Sequence, residues 1–332
     1  MLNKKTINNK DYIVYDNANF SIVIDDYCNA GCDFCVEDLR ARKSKRKIEN
    51  DLWLSEIDKV LKIMRNLNTS ISITGGEPTI DPKLPILLDN IGKLDFRKKV
   101  ITTNGSGLLL PGDDGELIID KLIKNNFNHL NISRVDCDEM VNQKVMKFKS
   151  KDNITQNIDL KDIVSIANKG NLRVRMSCLV NGLAVKNLDD VIDYINFYKN
   201  IGVDNIVFRE LMNYDFEKAE SEGSVINRVK RNFYLNYFVN LDSIIRDINK
   251  NNDFKLINIV KGYYYNVWVY DYNGVICCFE KANLENMSNS DNEIWEFVFH
   301  PQGVLCGSWN DKEKIILDIN KGDNIWVNLD MI

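Results

Sequence analysis

The sequence predicts an α/β protein with a parallel β-sheet, and three observations favour this class. Short apolar strand patterns alternate six times with helix patterns of about 10–15 residues, which is typical of β/α units. Polar residues collect where these strands end, and such ends carry the chemistry in β/α barrels. Apolar residues make up 44% of the 332 residues, enough for a large core in one domain or slightly more.

The predicted elements follow in chain order. Residues 12–15 are expected to form an edge hairpin strand, and residues 20–24 the strand that enters the sheet. Further strands are predicted at residues 70–74, 99–105, 128–134, 172–178 and 204–210. Helical periodicity marks residues 51–67, 82–94, 116–126, 159–169 and 189–200.

Three cysteines directly follow the strand at 20–24. Cys28, Cys32 and Cys35 are spaced C-x3-C-x2-C on one short loop. Three thiolates can hold three irons of a [4Fe–4S] cluster, which normally takes four, so one iron would stay open for chemistry. A structural zinc site would need four N/S ligands, usually in paired spacings, and only one C-x2-C pair is present here.

A second motif ends the strand at 70–74. Gly75, Gly76, Glu77 and Pro78 place two conformationally free residues, a carboxylate and a strand-stopping proline at one turn. The glycines would let the backbone approach a ligand closely, and the carboxylate could receive an ammonium group.

Together the two motifs resemble those of the radical S-adenosylmethionine (radical SAM) superfamily. The resemblance covers roughly residues 18–215 and implies a partial (β/α)6 barrel, here with a C-terminal α+β cap. It implies a [4Fe–4S] cluster on Cys28, Cys32 and Cys35, whose open iron is chelated by SAM. Cleavage of SAM would then give a 5′-deoxyadenosyl radical. The last barrel unit is similar in style to the molybdopterin-precursor synthase and peptide-maturase branches.

The resemblance and the strand ends give a set of candidate SAM-binding residues. They are Gly75, Gly76, Glu77, Thr103, Asn104, Ser133, Arg175 and Arg209. In the strand at 172–178, alternation puts Arg173, Arg175 and Ser177 on one face, opposite Val174 and Met176. We expect these arginines to face the barrel interior. They could pair there with a carboxylate of SAM or substrate, or with a carboxylate of the barrel itself.

Three segments are expected along the chain: an edge hairpin at 1–18, the barrel at 19–215 and a cap at 216–332. The cap should begin with one long helix at about 225–248 and continue as antiparallel strands rich in aromatic residues. It would close the open barrel over the substrate.

Cys137 and Cys306 are candidate hydrogen donors to a substrate radical, because each lies in a turn or at a strand end. Cys277 and Cys278 are adjacent, so on a strand they would point to opposite faces. We therefore do not expect a second cluster. The two histidines, His129 and His300, suggest no histidine-based acid–base catalysis, and His129 at a strand start is expected to be structural.

Composition and charge limit the cellular location and the partners that we expect. No apolar run approaches 18 residues and the first ten residues do not resemble a signal peptide, so we expect a cytoplasmic protein without a membrane span. The net charge of −5 argues against a general nucleic-acid surface. Residues 40–47 carry six basic side chains, which could be a solvated loop, a docking site for an acidic flavodoxin- or ferredoxin-type electron donor, or a site for an anionic substrate.

We therefore expect a radical SAM enzyme that abstracts hydrogen from a small metabolite (a sugar, nucleoside or amino acid) in a biosynthetic tailoring step. Three alternatives remain: a maturase or epimerase of a ribosomally made peptide, a nucleic-acid-modifying enzyme, and an iron–sulfur electron carrier or sensor. A short peptide is accordingly the other possible substrate.

Overall fold

The computed structural model describes residues 2–7, 10–35, 48–112, 114–149, 159–212, 216–221, 228–262, 265–282, 293–309 and 313–321. The basic run at 40–47 lies outside these residues. In the part described, no helix combines the length and the apolar character needed to cross a membrane.

The strands join into one sheet. The N-terminal hairpin and barrel strands are β1 Leu2–Ile7, β2 Lys10–Val23, β3 Ser70–Thr74, β4 Lys99–Thr103, β5 His129–Ser133, β6 Arg173–Leu179 and β7 Asn205–Arg209. The C-terminal strands are β8 Phe254–Lys261, β9 Tyr265–Tyr272, β10 Val275–Ala282, β11 Glu293–Phe299, β12 Val304–Cys306 and β13 Ile315–Asp318. Their order is β13-β12-β11-β2-β3-β4-β5-β6-β7-β10-β9-β8, with β1 paired to β2.

Helices connect the strands. They are α1 Asn50–Asn66, α2 Leu84–Gly92, α3 Ile118–Lys124, α4 Glu139–Met146, α5 Leu160–Lys169, α6 Leu188–Asn200, α7 Phe216–Ser221, α8 Arg228–Tyr237 and α9 Leu241–Ile248. Several begin where the sequence supplies a capping side chain. Asp159 accepts hydrogen bonds from the first turn of α5, and Asn187 accepts one from the first turn of α6.

The six strands from β2 to β7 pair in parallel, each with its neighbour in sequence. The strand order does not close on itself, since β13 and β8 stand at its two ends. This confirms the predicted α/β class and the partial barrel.

The two faces of this sheet differ sharply. On one face the side chains are apolar and buried against the helices; Ile73, Leu130 and Met176 are fully buried there. The other face, which we call the lumen face, carries the alternate residues, and most of these are polar and half-buried. Arg173, Arg175 and Ser177 lie on the lumen face, because they alternate with core residues of β6.

The strands of the C-terminal region, which was predicted to form the cap, are joined to the barrel. They continue the barrel's own sheet: β10 pairs in parallel with β7, and β11 pairs in parallel with β2. The outer strands of the parallel run would otherwise present unpaired backbone groups, and these additions satisfy them. The domain boundaries after residues 18 and 215 stay a prediction.

Two predicted elements were wrong in detail. Residues 12–15 and 20–23 belong to one strand, β2, whose first half pairs with β1. The single helix predicted at 225–248 is divided into α8 and α9. Asn240 has an extended backbone, and its side chain accepts a hydrogen bond from the Asp242 amide, so it begins a new helix.

Candidate active site at the carboxyl ends of the strands

The cysteine loop follows β2 and is fixed by the segment after β5. The amide of Gly31 donates to the carbonyl of Met146 at 3.0 Å, and the amide of Asp33 donates to Val145 at 3.2 Å. The amide of Lys149 donates in return to the carbonyl of Asn29 at 2.7 Å. These backbone contacts hold the loop against the end of α4.

Helix α8 contributes further contacts from the C-terminal region. The ammonium group of Lys230 donates to the Cys32 carbonyl at 2.9 Å, and the Tyr234 hydroxyl donates to the Phe34 carbonyl at 3.0 Å. Phe233 packs near Phe34, with their ring centroids 6.3 Å apart. The loop is therefore clamped from both sides.

The three cysteine side chains are half-buried thiols. Burial raises the pKa of Cys28 to about 11, and the negative charge of a Cys35 thiolate also contributes. Burial likewise raises the pKa of Cys32, followed by the charges of Cys35 and Cys28. The thiols thus lie close enough to interact, and a cation is needed to favour their deprotonated, ligating forms.

This donor set fits an iron–sulfur cluster. Among the described residues, no group of three or more His, Cys, Asp or Glu side chains surrounds a position for a single metal ion. A cubane does not require one, since each of its thiolates binds a different iron. Three adjacent thiols on a clamped loop match three of its four irons.

Gly75 and Gly76 contact the cysteine loop itself. The amide of Gly76 donates to the Asp25 carbonyl and the amide of Glu77 to the Tyr27 carbonyl, both at 2.8 Å. A Cβ at Gly76 would lie 1.8 Å from the Tyr27 carbonyl oxygen, and Gly75 has a φ of +142°. The sequence predicted a close approach to a ligand; the structure shows a close approach to the loop that carries the cysteines.

Glu77 is turned inward, with only 3% of its surface exposed. Its Oε1 accepts hydrogen bonds from the amide and the hydroxyl of Thr79 and from the hydroxyl of Thr103. Its Oε2 accepts from the Asn104 amide at 2.6 Å. Burial raises the pKa of Glu77, while these hydrogen bonds lower it. The carboxylate therefore joins the ends of β3 and β4.

Asn104 extends this network to the cysteine loop. Its Nδ2 donates to Oδ1 of Asn29 at 2.9 Å, and Nδ2 of Asn29 donates to the Ser106 hydroxyl at 2.9 Å. Sequence reasoning missed Asn29 and Ser106. A polar residue between the first two cysteines was the available signal for Asn29.

Ser133 ends β5, next to a buried cation that was not among the predicted SAM-binding residues. Arg134 is 1% exposed, and its Nη1 donates to the carbonyls of Asn104 and Ser133 at 2.7 Å. Its Nε pairs with Glu139 at 3.1 Å. Arg134 thus ties the ends of β4 and β5 to α4, and a charge directly after Ser133 was the signal for it.

The two predicted arginines lie on the lumen face but have different partners. Arg209, at the end of β7, pairs with Glu280 of β10 at 2.7 Å. Arg175, in the middle of β6, donates a hydrogen bond to Asn205. Arg173 pairs with Asp204 at 3.1 Å, which agrees with the interpretation of a barrel ion pair.

The candidate hydrogen donors lie apart. Cys137 is half-buried after β5, with its thiol 3.5 Å from an Asp136 carboxylate oxygen. Cys306 is fully buried in β12, paired in register with Val298. Cys277 faces the core and is fully buried, whereas Cys278 is half-buried on the lumen face, as their adjacency predicted. Sequence reasoning proposed no role for Cys278.

The protein-family comparison matches the Radical SAM superfamily over residues 22–197, more than half of the chain. Two curated relatives are the GTP 3′,8-cyclase of Aquifex aeolicus, 25% identical over 64% of this chain and 64% of its own length, and the molybdenum cofactor biosynthesis protein 1 of Dictyostelium discoideum, 26% identical over 64% of this chain and 32% of its own. The chain thus spans less than two thirds of either relative.

A solved structure of Streptococcus suis SuiB bound to the precursor peptide SuiA is similar over 90% of this chain and 64% of that one, with 14% identity and a TM-score of 0.53. At that identity the similarity supports the fold alone. The family match, together with the three thiols and the Gly-Gly-Glu-Pro turn, identifies the cofactors as a [4Fe–4S] cluster and SAM. The chain is an enzyme of the radical SAM superfamily.

Proposed function

We propose that this enzyme abstracts hydrogen from a small polar metabolite bound on the lumen face, in a biosynthetic tailoring step. The observation that carries the proposal is the polar lumen face, which runs from the cysteine loop toward the amino ends of the strands. An apolar substrate would leave these side chains unpaired, whereas a sugar, nucleoside or amino acid could satisfy them.

Several contacts define the polarity of this face. Asn131 donates to the Thr102 hydroxyl at 3.2 Å, and its own Oδ1 is buried without a hydrogen-bond partner in the described structure. Ser21 donates to Glu296 at 2.6 Å on the same face. An unpaired buried acceptor costs free energy, so a donor from the substrate at Asn131 would be favourable.

The carboxyl ends of the strands would hold the cofactors. Cys28, Cys32 and Cys35 are the proposed cluster ligands. The backbone at Gly75 and Gly76, with Asn104, Ser133 and Arg209, is the proposed SAM surface. When bound, the cluster and SAM supply the 5′-deoxyadenosyl radical that removes a hydrogen atom.

Glu77 and Thr103 have a different part in this proposal. Their side chains hydrogen-bond to each other and to neighbouring strand ends. We assign them to positioning the Gly75–Gly76 backbone against the cysteine loop, so that SAM meets a preformed surface. Cys137 and Cys306 stay candidate hydrogen donors.

A peptide substrate is the second candidate, and one observation favours it. Every residue of β8 after Phe254 is exposed, and Leu256, Ile257, Ile259 and Val260 are among them. An apolar strand at the edge of a sheet can pair with an extended peptide. The SuiB structure contains a peptide and the curated relatives include GTP cyclases, so both substrate classes occur among similar proteins.

The remaining alternatives have less support. The nucleic-acid alternative depends on the basic run at 40–47, outside the described residues. The chain belongs to an enzyme superfamily, so the alternative of an iron–sulfur electron carrier or sensor is set aside. A flavodoxin- or ferredoxin-type electron donor stays part of the proposal.

The first test measures iron and sulfide per chain after anaerobic reconstitution, together with dithionite-driven release of 5′-deoxyadenosine from SAM. We expect about four irons per chain, and loss of both iron and deoxyadenosine in Cys32→Ala. Cys277→Ala, which removes a thiol buried on the core face, is the matched control and should retain both. Iron binding without any SAM cleavage would contradict the proposal.

The second test discriminates between the substrates. Panels of deuterated sugars, nucleosides, amino acids and short peptides are added, and deuterium is measured in the released deoxyadenosine. Deuterium from a small metabolite supports the main proposal. Deuterium from peptides alone, or about eight irons per chain, would favour peptide maturation instead.

A further inference from the structure

A cavity of about 500 Å³ lies at the opposite end of the barrel from the cysteine loop. It is lined by Ser70, Arg97, Lys98, Asn128 and His129. Ser70 and His129 are the first residues of β3 and β5, and Lys98 immediately precedes β4. The cavity is therefore formed by the amino ends of the strands.

Strand register brings two arginines of β6 beside this cavity. His129 pairs with Arg173, and Asn131 pairs with Arg175. Because alternate residues share a face, Arg173 and Arg175 lie on the same side of the sheet as His129. The positive charges of Arg175, Arg97 and Arg173 all act on Lys98 and, after its burial, lower its pKa. We call Arg97, Lys98, His129, Arg173 and Arg175 the cationic floor.

The floor has few acidic partners. Arg173 pairs with Asp204, but Arg97 donates to the Ser70 hydroxyl at 2.8 Å and Arg175 to the Asn205 amide oxygen, which are neutral groups. In the residues described, the Lys98 side chain forms neither a hydrogen bond nor an ion pair. Nδ1 of His129 is buried and lacks a hydrogen-bond partner there as well.

Lys98 and Arg175 are partly buried, whereas Arg97 and Arg173 are exposed. A partly buried cation with little counter-charge is costly, and an anion relieves that cost. Ammonium and guanidinium groups are the donors that phosphate and carboxylate oxygens prefer. We propose that the cationic floor binds a phosphate group in the cavity between β3, β4 and β5.

The oxyanion could be a free ion or a group of the substrate, and the second source rests on the proposed function. From Asn131 and Thr102 the lumen face continues to the carboxyl ends. A strand of five residues rises about 13 Å, which is comparable to the length of a nucleoside phosphate. A phosphorylated metabolite could therefore reach from the floor toward the radical.

The test uses the two histidines as separate reporters in the reconstituted full-length enzyme. Burial, followed by the charges of Lys98, Arg175 and Arg173, lowers the pKa of His129 to about 4, and only Asp204 among the groups acting on it raises it. An oxyanion in the cavity should raise this pKa by about one unit or more. His300 follows β11 at the other end of the barrel, so its resonance is the internal reference.

Inorganic phosphate and pyrophosphate are titrated first, and then uridine and uridine 5′-monophosphate. Histidine resonances are followed by NMR between pH 8 and about pH 3.5, a range that covers the lowered pKa of His129, and binding heats by calorimetry at pH 7. A His129 response to inorganic phosphate or pyrophosphate supports a free-ion site. A response to the nucleotide but to neither inorganic ion supports a substrate anchor.

Three variants distinguish a loss of positive charge at the site from a loss of folding. Lys98→Gln and Arg175→Gln should each weaken oxyanion binding about tenfold or more. Lys93→Gln, at the exposed end of α2, is the control and should leave it unchanged. Iron content and thermal midpoint show whether each variant is folded.

No His129 response to any of the phosphate ligands would overturn the inference. An equal response to uridine would also overturn it, because uridine carries no phosphate. None of these measurements depends on SAM cleavage, so failure of the cationic floor and failure of the proposed function are distinguishable.

Discussion

The two ends of the barrel differ in how their buried polar groups are paired. At the carboxyl ends, Glu77 accepts four hydrogen bonds, and Arg134 is paired by two carbonyls and Glu139. At the amino ends, Lys98 has no side-chain partner and Nδ1 of His129 lacks one, within the described residues. Glu77 and Arg134 are thus satisfied by the protein's own groups, whereas the proposed oxyanion would supply the partners of Lys98 and His129.

The difference shows where preorganisation is needed. A SAM surface must exist before the cofactor arrives, so its backbone is fixed by the protein's own side chains. An anion site can keep positive charge in excess, because the incoming ligand brings the counter-charge. The paired groups at the carboxyl ends thus fix the backbone, whereas unpaired groups at the amino ends indicate a ligand site.

Gly76→Ala should have the largest effect on iron content and activity, because it disrupts the contact between the Gly75–Gly76 turn and the cysteine loop. The added Cβ would lie 1.8 Å from the Tyr27 carbonyl oxygen, so the cysteine loop must move. We expect iron per chain and deoxyadenosine release to fall close to background after anaerobic reconstitution.

Gly31→Ala is the matched control within the same loop. Its nearest atoms would be 3.8 Å from the added Cβ, an ordinary contact, so this variant should keep its iron. Equal iron in the two variants would show that the close approach at Gly76 does not hold the loop.

Glu77→Gln should have an intermediate effect. An amide has one acceptor oxygen, so a buried N–H or O–H donor loses its partner, at a cost of about 1–3 kcal/mol. Since the pKa of Glu77 is raised above its ordinary value of 4.5, its contribution to stability is present below that value and is lost as the pH rises through the raised pKa. The advantage of wild type over the variant should therefore shrink from pH 5 to pH 8.

Urea unfolding followed by circular dichroism at both pH values measures this difference. Glu49→Gln, an exposed glutamate before α1, should change the unfolding free energy by less than about 0.5 kcal/mol. A difference between wild type and Glu77→Gln that grows with pH would contradict the raised pKa.

His129→Asn should have the smallest effect on stability. It tests the polar groups at the amino ends of the strands. His129 has a lowered pKa, so its neutral form is favoured by folding; that contribution is present above pH 6.5 and is lost as the pH falls toward about 4. The charges that face it are Lys98, Arg173, Arg175 and Asp204. The variant should match wild type in its urea midpoint at pH 8 and exceed it at pH 5. An identical pH dependence in both proteins would contradict this assignment.

Much of the carboxyl end could be predicted from the sequence, because its signals are local. The spacing of Cys28, Cys32 and Cys35 and the turn at Gly75 and Gly76 each lie within a few residues. The alternation in β6 also gave the faces of Arg173 and Arg175 correctly. Such patterns follow from backbone geometry over one element.

The remaining features depend on contacts between distant residues. The pairing of β11 with β2 and of β10 with β7 joins segments that no local pattern connects. The inward turn of Glu77 needs the amide of Asn104, and the cationic floor needs the register between β5 and β6. A sequence pattern gives the face of a residue, but not its neighbours on the next strand.

The position of β2 has a consequence for the order of events in synthesis. Its carboxyl half, which leads into the cysteine loop, lies between β3 and β11. The ribosome adds about 5–20 residues per second, so β11 emerges on the order of half a minute after β2. Throughout that interval the three cysteines follow a strand, β2, that still has one open edge. The cysteine loop is therefore made well before β11, the strand that covers the second edge of β2.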